Sequence, residues 1–236
     1  MKNTLSISRL ILLSIALNLF LSENSSGQVN RLWDYDFIPT GNYESIGYSI
    51  AALPSGVNIT GGIYKNINNT NSLNALIVLN SAGGLLHADT VTAGFGFVRV
   101  LYDGFSSVYA VGSLHNDTNT ARNLLICKMD TVTWQTNFFV PDSSATIYYD
   151  PLDMSFLSSG NLIVASRMDN FPLYRLALTS MNPSGSVAWQ VVDSSFEINY
   201  DLKILPESSG GFFVAGSGRD TSTTYDFIFV SHFNSM

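Results

Sequence analysis

The residues that could perform acid–base, nucleophilic or metal chemistry are few and scattered along the chain. The three histidines, His87, His115 and His232, are far apart, and no two of them have the spacing of a helical metal motif. The single cysteine, Cys127, offers zinc no thiolate pair. A Gly-x-Ser-x-Gly nucleophile elbow and a glycine-rich phosphate loop before a helix are also absent from the sequence. We therefore expect no metal, no cofactor and no catalytic residue.

The stretch that most resembles a binding site is Tyr148, Tyr149 and Asp150. A tyrosine presents apolar area together with a hydrogen-bonding hydroxyl, so an exposed pair suits contact with carbohydrate or protein. The alternative is that both tyrosines pack inside the fold.

The segments that must position these residues recur with a period of about fifty residues. Runs that end in small residues stop at Gly62, Ser113, Ser166 and Gly216. Later runs that end in Asn or Asp stop at Asn80, Asp130, Asn182 and Asn234. Because the two markers advance together, we infer four copies, at about 45–91, 95–139, 151–193 and 199–233. Four apolar residues, each standing four places before the second marker, should be buried between copies: Leu76, Ile126, Leu178 and Val230.

The runs are predicted to be β-strands. They are rich in Ile, Val, Phe, Tyr and Leu, they are bounded by Gly, Ser, Asn, Asp and Pro, and no helical period is sustained. Four antiparallel strands in about fifty residues are typical of a β-propeller blade. The predicted fold is therefore all-β, a β-propeller of four four-stranded blades. A β-solenoid or a β-sandwich is the alternative.

The fourth copy stops after three strands. The stretch 31–37, in which Trp33 resembles Trp189, could supply the missing strand and close a four-bladed ring. Alternatively, the four copies are a truncated part of a larger propeller, and 31–37 completes another blade. Both interpretations predict a strand at 31–37.

Propeller geometry separates short turns on one face from long connections on the other, at 65–73, 115–122, 142–150 and 219–224. Binding residues concentrate on loops that a rigid scaffold holds, so we expect a protein or carbohydrate ligand on the long-loop face. An enzyme would instead bring charged residues together near the central channel. Four residues of the predicted first strands could point there: Arg99, Asp153, Asp201 and Lys203.

Residues 1–27 have the pattern of a secretory signal peptide. Lys2 and Arg9 accompany an apolar segment at 10–21, which is too short to span a bilayer, and small polar residues follow. The domain 28–236 should then be secreted, on the cell surface or periplasmic, without a membrane span; an uncleaved anchor is the alternative. A formal net charge of −7 with no basic stripe argues against nucleic acid as a partner.

The sequence NPSGSVAWQ at 182–190, and more loosely DTVTWQ at 130–135, resembles the repeats of secreted bacterial β-propellers. These include quinoprotein-like repeats and those of Bacteroidetes surface proteins. The resemblance implies the fold. It does not extend to quinoprotein enzymology, which needs a calcium site, a Trp platform and often a vicinal disulfide, because this chain has one cysteine and no recognisable acidic calcium set.

These features favour a secreted or cell-surface binding module without catalytic activity. The alternative is an extracytoplasmic propeller enzyme that acts on glycans, or a quinoprotein-like relative without an intact cofactor site.

Overall fold

A computed structural model describes residues 43–66, 72–91, 94–115, 121–141, 147–170, 173–220 and 225–234. Within these ranges every regular element is a β-strand, so the all-β prediction is confirmed. The same ranges contain no helix with the length and hydropathy of a membrane span. The described strands are β1 (Tyr43–Ala52), β2 (Asn58–Asn66), β3 (Ser72–Leu79), β4 (Leu85–Val91), β5 (Gly94–Tyr102), β6 (Ser107–His115), β7 (Arg122–Asp130), β8 (Thr136–Phe139), β9 (Tyr148–Phe156), β10 (Leu162–Asn170), β11 (Leu173–Met181), β12 (Val187–Asp193), β13 (Glu197–Pro206), β14 (Phe212–Arg219) and β15 (Asp226–Phe233).

Consecutive strands pair antiparallel and form four successive meanders, which we call repeats one to four. Repeat one is β1–β4, repeat two β5–β8, repeat three β9–β12 and repeat four β13–β15. Repeats two and three are also joined by one parallel bridge, between Arg122 and Tyr148. Each sheet is thus built from neighbouring stretches of sequence.

The hydrogen-bond registers of the four repeats are equivalent. The third-strand residues Leu76, Ile126, Leu178 and Val230 lie opposite the second-strand residues Gly61, Val111, Ala165 and Ala215. The same second-strand residues lie opposite the first-strand residues Ser49, Arg99, Asp153 and Lys203. A residue of one repeat therefore has a defined counterpart in each of the others.

The short turns have a local chemical cause. Several turns contain a glycine whose φ is positive, between 81° and 105°, a backbone conformation that other residues rarely adopt. These glycines are Gly56, Gly83, Gly160, Gly185 and Gly210. The Asn or Asp that ends a third strand also caps the turn that follows. The Oδ1 of Asp130 accepts hydrogen bonds from the backbone N–H of Val132 and of Thr133. These bonds, above all the one from Thr133, lower the pKa of the Asp130 carboxyl.

Small residues on the second strand are required by an irregularity in the first strand. The register of β1 shifts between Gly47 and Ser49, and this shift brings the backbone of β1 close to β2. A Cβ on Gly62 would clash with the carbonyl oxygen of Ile46. The counterpart in repeat four, Gly216, faces a carbonyl oxygen of β13 in the same way.

Successive repeats pack through the first strand of one repeat against the sheet of the repeat before it. Val100 of β5, Met154 of β9 and Ile204 of β13 are counterparts, and each is buried. Each joins an apolar cluster that combines residues of two consecutive repeats. Burial of such a side chain contributes about 1.5–3 kcal/mol. The core is therefore distributed over the junctions between repeats.

Three of the four residues predicted to be buried between copies are buried. Leu76, Ile126 and Leu178 are at most 1% exposed, but Val230 is 67% exposed, so the prediction was wrong for Val230. Alternate residues of a strand point to opposite sides of its sheet. Val230 lies on the side of β15 that no described repeat covers.

Three of the sequence-based predictions fall wholly or largely on residues outside the described ranges. They are the signal peptide at 1–27, the strand at 31–37 and the long connections at 65–73, 115–122, 142–150 and 219–224. All three stay predictions.

Candidate functional site

The predicted site residues Tyr148, Tyr149 and Asp150 begin strand β9. Tyr149 is buried in the apolar cluster between repeats two and three, because alternate residues of a strand point to opposite sides. Nε2 of Gln190 donates a hydrogen bond of 3.4 Å to the hydroxyl of Tyr149. The expected exposed pair of tyrosines is therefore reduced to Tyr148, which is half-buried.

Asp150 bridges two arginines that come from different repeats. Its Oδ1 accepts a hydrogen bond from Nη1 of Arg122 at 2.9 Å, and its Oδ2 accepts one from Nη2 of Arg167 at 2.7 Å. Both bonds join charged groups, which makes them stronger than neutral hydrogen bonds. Arg167 lies directly opposite Asp150 on β10, whereas Arg122 begins β7.

Each arginine also lies against the ring of a tyrosine. The Cζ of Arg167 is 4.1 Å from the ring centroid of Tyr174, and the Cζ of Arg122 is 5.7 Å from that of Tyr148. Arg167 is buried, while Arg122 and Asp150 keep part of their side chains in solvent. We call these five residues, Tyr148, Asp150, Arg122, Arg167 and Tyr174, the tyrosine–arginine cluster.

The tyrosine–arginine cluster lies on the side of the repeats opposite the short turns. Arg122 begins a third strand, Tyr148 begins a first strand, and Tyr174 is the second residue of another third strand. First and third strands of an antiparallel meander run in the same direction, so their starts share one edge. This edge is the one that carries the predicted long connections. Arg122, Arg167 and Tyr174 were missed from the sequence because only the pairing of strands brings them to Asp150.

Three of the four charged residues predicted for the first strands come together. The carboxylate of Asp153 is buried, and its Oδ1 lies 3.2 Å from Nε of Arg99 and 3.9 Å from Nζ of Lys203. The Arg99 contact lacks hydrogen-bond alignment and is an ion pair. Oδ2 accepts a hydrogen bond from the backbone N–H of Ile204 at 2.9 Å. This carboxylate therefore holds repeat four against repeat three.

Asp201 does not join that group. It is exposed and lies in the irregular part of β13, where the register shifts between Ile198 and Leu202. The irregularity displaces Asp201 from the position that the simple alternation of a strand would give it.

Each of the two histidines whose side chains are described lies within 4 Å of one carboxylate. Nε2 of His87 is 3.5 Å from Oδ2 of Asp89, and Nε2 of His232 is 2.9 Å from Oε2 of Glu207. The His232 ring also stacks on Phe213, with 4.6 Å between ring centroids. In the described ranges, no three His, Cys, Asp or Glu side chains are placed to hold a metal ion together.

Comparison with known proteins yields distant structural similarity alone. No protein-family model matches the chain. No curated protein matches it either. Two β-rich solved structures are similar to it. An apocarotenoid oxygenase of Synechocystis is 12% identical with a TM-score of 0.41, over 75% of this chain and 46% of the oxygenase. An N-acetylgalactosamine deacetylase from F. plautii is 10% identical with a TM-score of 0.47, over 88% of this chain and 76% of the deacetylase. The chain thus spans less than half the length of that oxygenase.

Proposed function

We propose that the chain is a secreted or cell-surface β-propeller whose long-loop face binds a protein or carbohydrate ligand. Each repeat would be one blade, and the first strands would line the central channel. Residues 1–27 would direct export and would be removed in the process. Binding of the ligand, rather than chemistry on it, would be the task of the domain.

The propeller is supported by the equivalent registers of the four repeats and by the way they pack. Each first strand packs on the sheet before it, and the counterparts Val100, Met154 and Ile204 fill the same place at three successive junctions. Sheets that stack face to face through repeated, equivalent contacts are the building principle of propellers. Repeat four contributes three described strands to this arrangement.

The observation that carries the binding proposal is the tyrosine–arginine cluster. Tyrosine and arginine are the residue types enriched where protein surfaces bind partners. Asp150 holds Arg122 and Arg167 in place, so part of the ordering cost is met before a ligand arrives. Tyr148 and Arg122 each keep part of the side chain exposed, and an aromatic ring beside a guanidinium is a combination that suits sugar hydroxyls or peptide carbonyls.

The test compares Tyr148→Ala with Phe105→Ala on a glycan array. Phe105 is an exposed aromatic residue in a short turn and serves as the matched control. In parallel, a photo-crosslinking amino acid is placed at position 148 or 105 in the native host, to capture a protein ligand. We expect glycan binding that Tyr148→Ala abolishes and Phe105→Ala preserves, or protein adducts from position 148 alone.

Equal results for positions 148 and 105 would overturn the proposed face. Turnover in a panel of hydrolase substrates, abolished by Asp153→Asn, would overturn the proposed lack of catalysis. The export proposal has its own measurement, N-terminal sequencing of protein from the native host. The mature protein should begin near Gln28, and material that begins at Met1 and stays membrane-bound would contradict it.

A further inference from the structure

The contact that joins successive repeats has two sides. The forward face of a repeat is the side of its sheet that receives the next repeat, and it includes Leu76, Ile126 or Leu178 of the third strand. The backward face is the side that packs on the preceding repeat, and it includes Val100 or Met154 of the first strand. Among the described repeats, the forward face of repeat four and the backward face of repeat one have no repeat packed on them.

The forward face of repeat four is apolar and exposed. Val230 is 67% exposed and Ile228 is 87% exposed. The counterparts of Ile228 in repeats two and three, Leu124 and Leu176, are at most 1% exposed. Leu205 of the first strand is exposed on the same repeat. Repeat four thus presents the kind of surface that the other repeats bury beneath a neighbour.

The backward face of repeat one presents the complementary half of the contact. Ile50 lies opposite Thr60, as Val100 lies opposite Ala110, Met154 opposite Val164 and Ile204 opposite Val214. Ile50 is 60% exposed, whereas the other three first-strand counterparts are at most 9% exposed. Ile46 and Tyr48 of the same strand are also exposed. A large apolar residue is therefore available at the place where the later repeats bury one.

We infer that repeat four of one chain packs on repeat one of a second copy of this chain. The contact would reproduce the one already made three times inside the chain, with Ile50 entering the surface formed by Ile228 and Val230. The charges are compatible. Lys203, the first-strand residue of repeat four, would lie beside its uncharged counterpart Ser49, so this pair brings no two like charges together.

Two such contacts close a pair of chains. A head-to-tail interface produces a closed assembly when its rotation closes, and two copies then share two identical contacts. Eight repeats lie at the upper end of the usual range of propeller blades. Neither contact includes the tyrosine–arginine cluster, so the inference can fail while the proposed ligand-binding function stands.

The test is the molar mass of the purified chain by light scattering at increasing concentration. We expect a dimer for the unmodified chain and monomers for Ile50→Asp, Ile228→Asp and Val230→Asp. Phe105→Asp, which also adds a carboxylate at an exposed aromatic position but away from both faces, should remain a dimer. Circular dichroism and thermal melting establish that each variant is folded.

Mixing Ile50→Asp with Val230→Asp identifies the pairing. One intact face remains on each variant, so the mixture should form a 1:1 complex of two chains although each variant alone is monomeric. A weak interface has a Kd of about 1 μM. If the unmodified chain is still monomeric at a protein concentration of about 100 μM, the inference is overturned. A dimer that survives Ile50→Asp but not Val230→Asp would overturn it too, because repeat four would then pair with its own copy.

Discussion

The carboxylate of Asp153 accepts a hydrogen bond from the backbone N–H of Ile204, and this bond ties repeat three to repeat four at a distance of 2.9 Å. Ser49 forms the equivalent bond between repeats one and two, since its Oγ accepts from the backbone N–H of Val100 at 3.0 Å. The two acceptors are counterparts on their first strands. One position of the repeat thus serves twice to join a repeat to its successor.

Removal of the two acceptors should have graded effects on stability. Asp153→Ala leaves the buried N–H of Ile204 without its acceptor and should lower the free energy of unfolding by about 1–3 kcal/mol. Ser49→Ala removes a neutral, half-buried acceptor and should cost less, while Asp153→Asn keeps an oxygen for Ile204 and should lie between unmodified protein and Asp153→Ala. Urea denaturation measures all three. A cost for Ser49→Ala equal to or above that of Asp153→Ala would contradict this assignment.

Truncation of the residues buried between repeats should be costly. Leu76→Ala, Ile126→Ala and Leu178→Ala each create a cavity in a closely packed junction, and each should cost about 2–5 kcal/mol. Val132→Ala, at an exposed turn position, is the control and should change stability by less than about 0.5 kcal/mol. Chemical denaturation of the four variants provides the comparison. Losses near those of the control at all three junctions would mean that the register is incorrect.

Substitution by alanine at the small-residue position of the second strand should have opposite effects on stability in different repeats. Gly62→Ala and Gly216→Ala force a Cβ against a backbone carbonyl and should destabilise by about 1–3 kcal/mol. Ser166, the counterpart in repeat three, already carries a side chain, and its buried hydroxyl has no hydrogen-bond partner. Ser166→Ala should therefore be neutral or stabilising. Thermal melting of the three variants tests this prediction. Equal melting temperatures for all three would contradict it.

Cys127 should be inert in the folded protein. Burial, with a smaller contribution from the charge of Asp89, raises the pKa of its thiol far above the usual range, so the thiolate that reacts with disulfide reagents is scarce. A disulfide reagent such as DTNB should label the thiol in urea but not in native buffer at pH 8. Rapid native labelling at the rate of a free thiol would contradict the burial.

The raised pKa of the Cys127 thiol also makes the stability of the fold depend on pH. Above about pH 9 the thiol of the unfolded chain ionises while the folded one stays neutral, so the free energy of unfolding should fall as pH rises further. Below that pH the contribution is constant. Cys127→Ala should remove this part of the slope, which urea denaturation at pH 8 and pH 10 would detect.

The repeat and its strands could be predicted because their causes are local. Alternating apolar residues mark the strands, and glycine or Asn/Asp marks the turns, as the capping by Asp130 illustrates. The alignment of repeat two was nevertheless one residue out: Gly112, not Ser113, is the counterpart of Gly62. A shift of one residue reverses the side to which a strand residue points, and only the pairing register reveals it.

The candidate site was predictable only in part. The sequence located Tyr148 and Asp150 but could not place Arg122 or Arg167 beside them, since pairing between distant strands sets those distances. The burial of Tyr149 depends on a neighbouring repeat. Likewise, Trp134 and Trp189 belong to the similar stretches DTVTWQ and NPSGSVAWQ, yet Trp189 lies in strand β12 whereas Trp134 adopts a positive φ of 59° in the turn before β8, a conformation that its residue type does not suggest.

The packing of each repeat on the one before it also determines how the chain would respond to a pulling force. Arrays held together by contacts between neighbours lose their units one after another. With first-strand counterparts at positions 49, 99, 153 and 203, each detached repeat would release about fifty residues, or about 170 Å of extended chain. Force spectroscopy would then record a series of extension steps of similar length. Because the Asp153 carboxylate bonds the backbone of repeat four, separating repeats three and four would require more force than separating the other pairs.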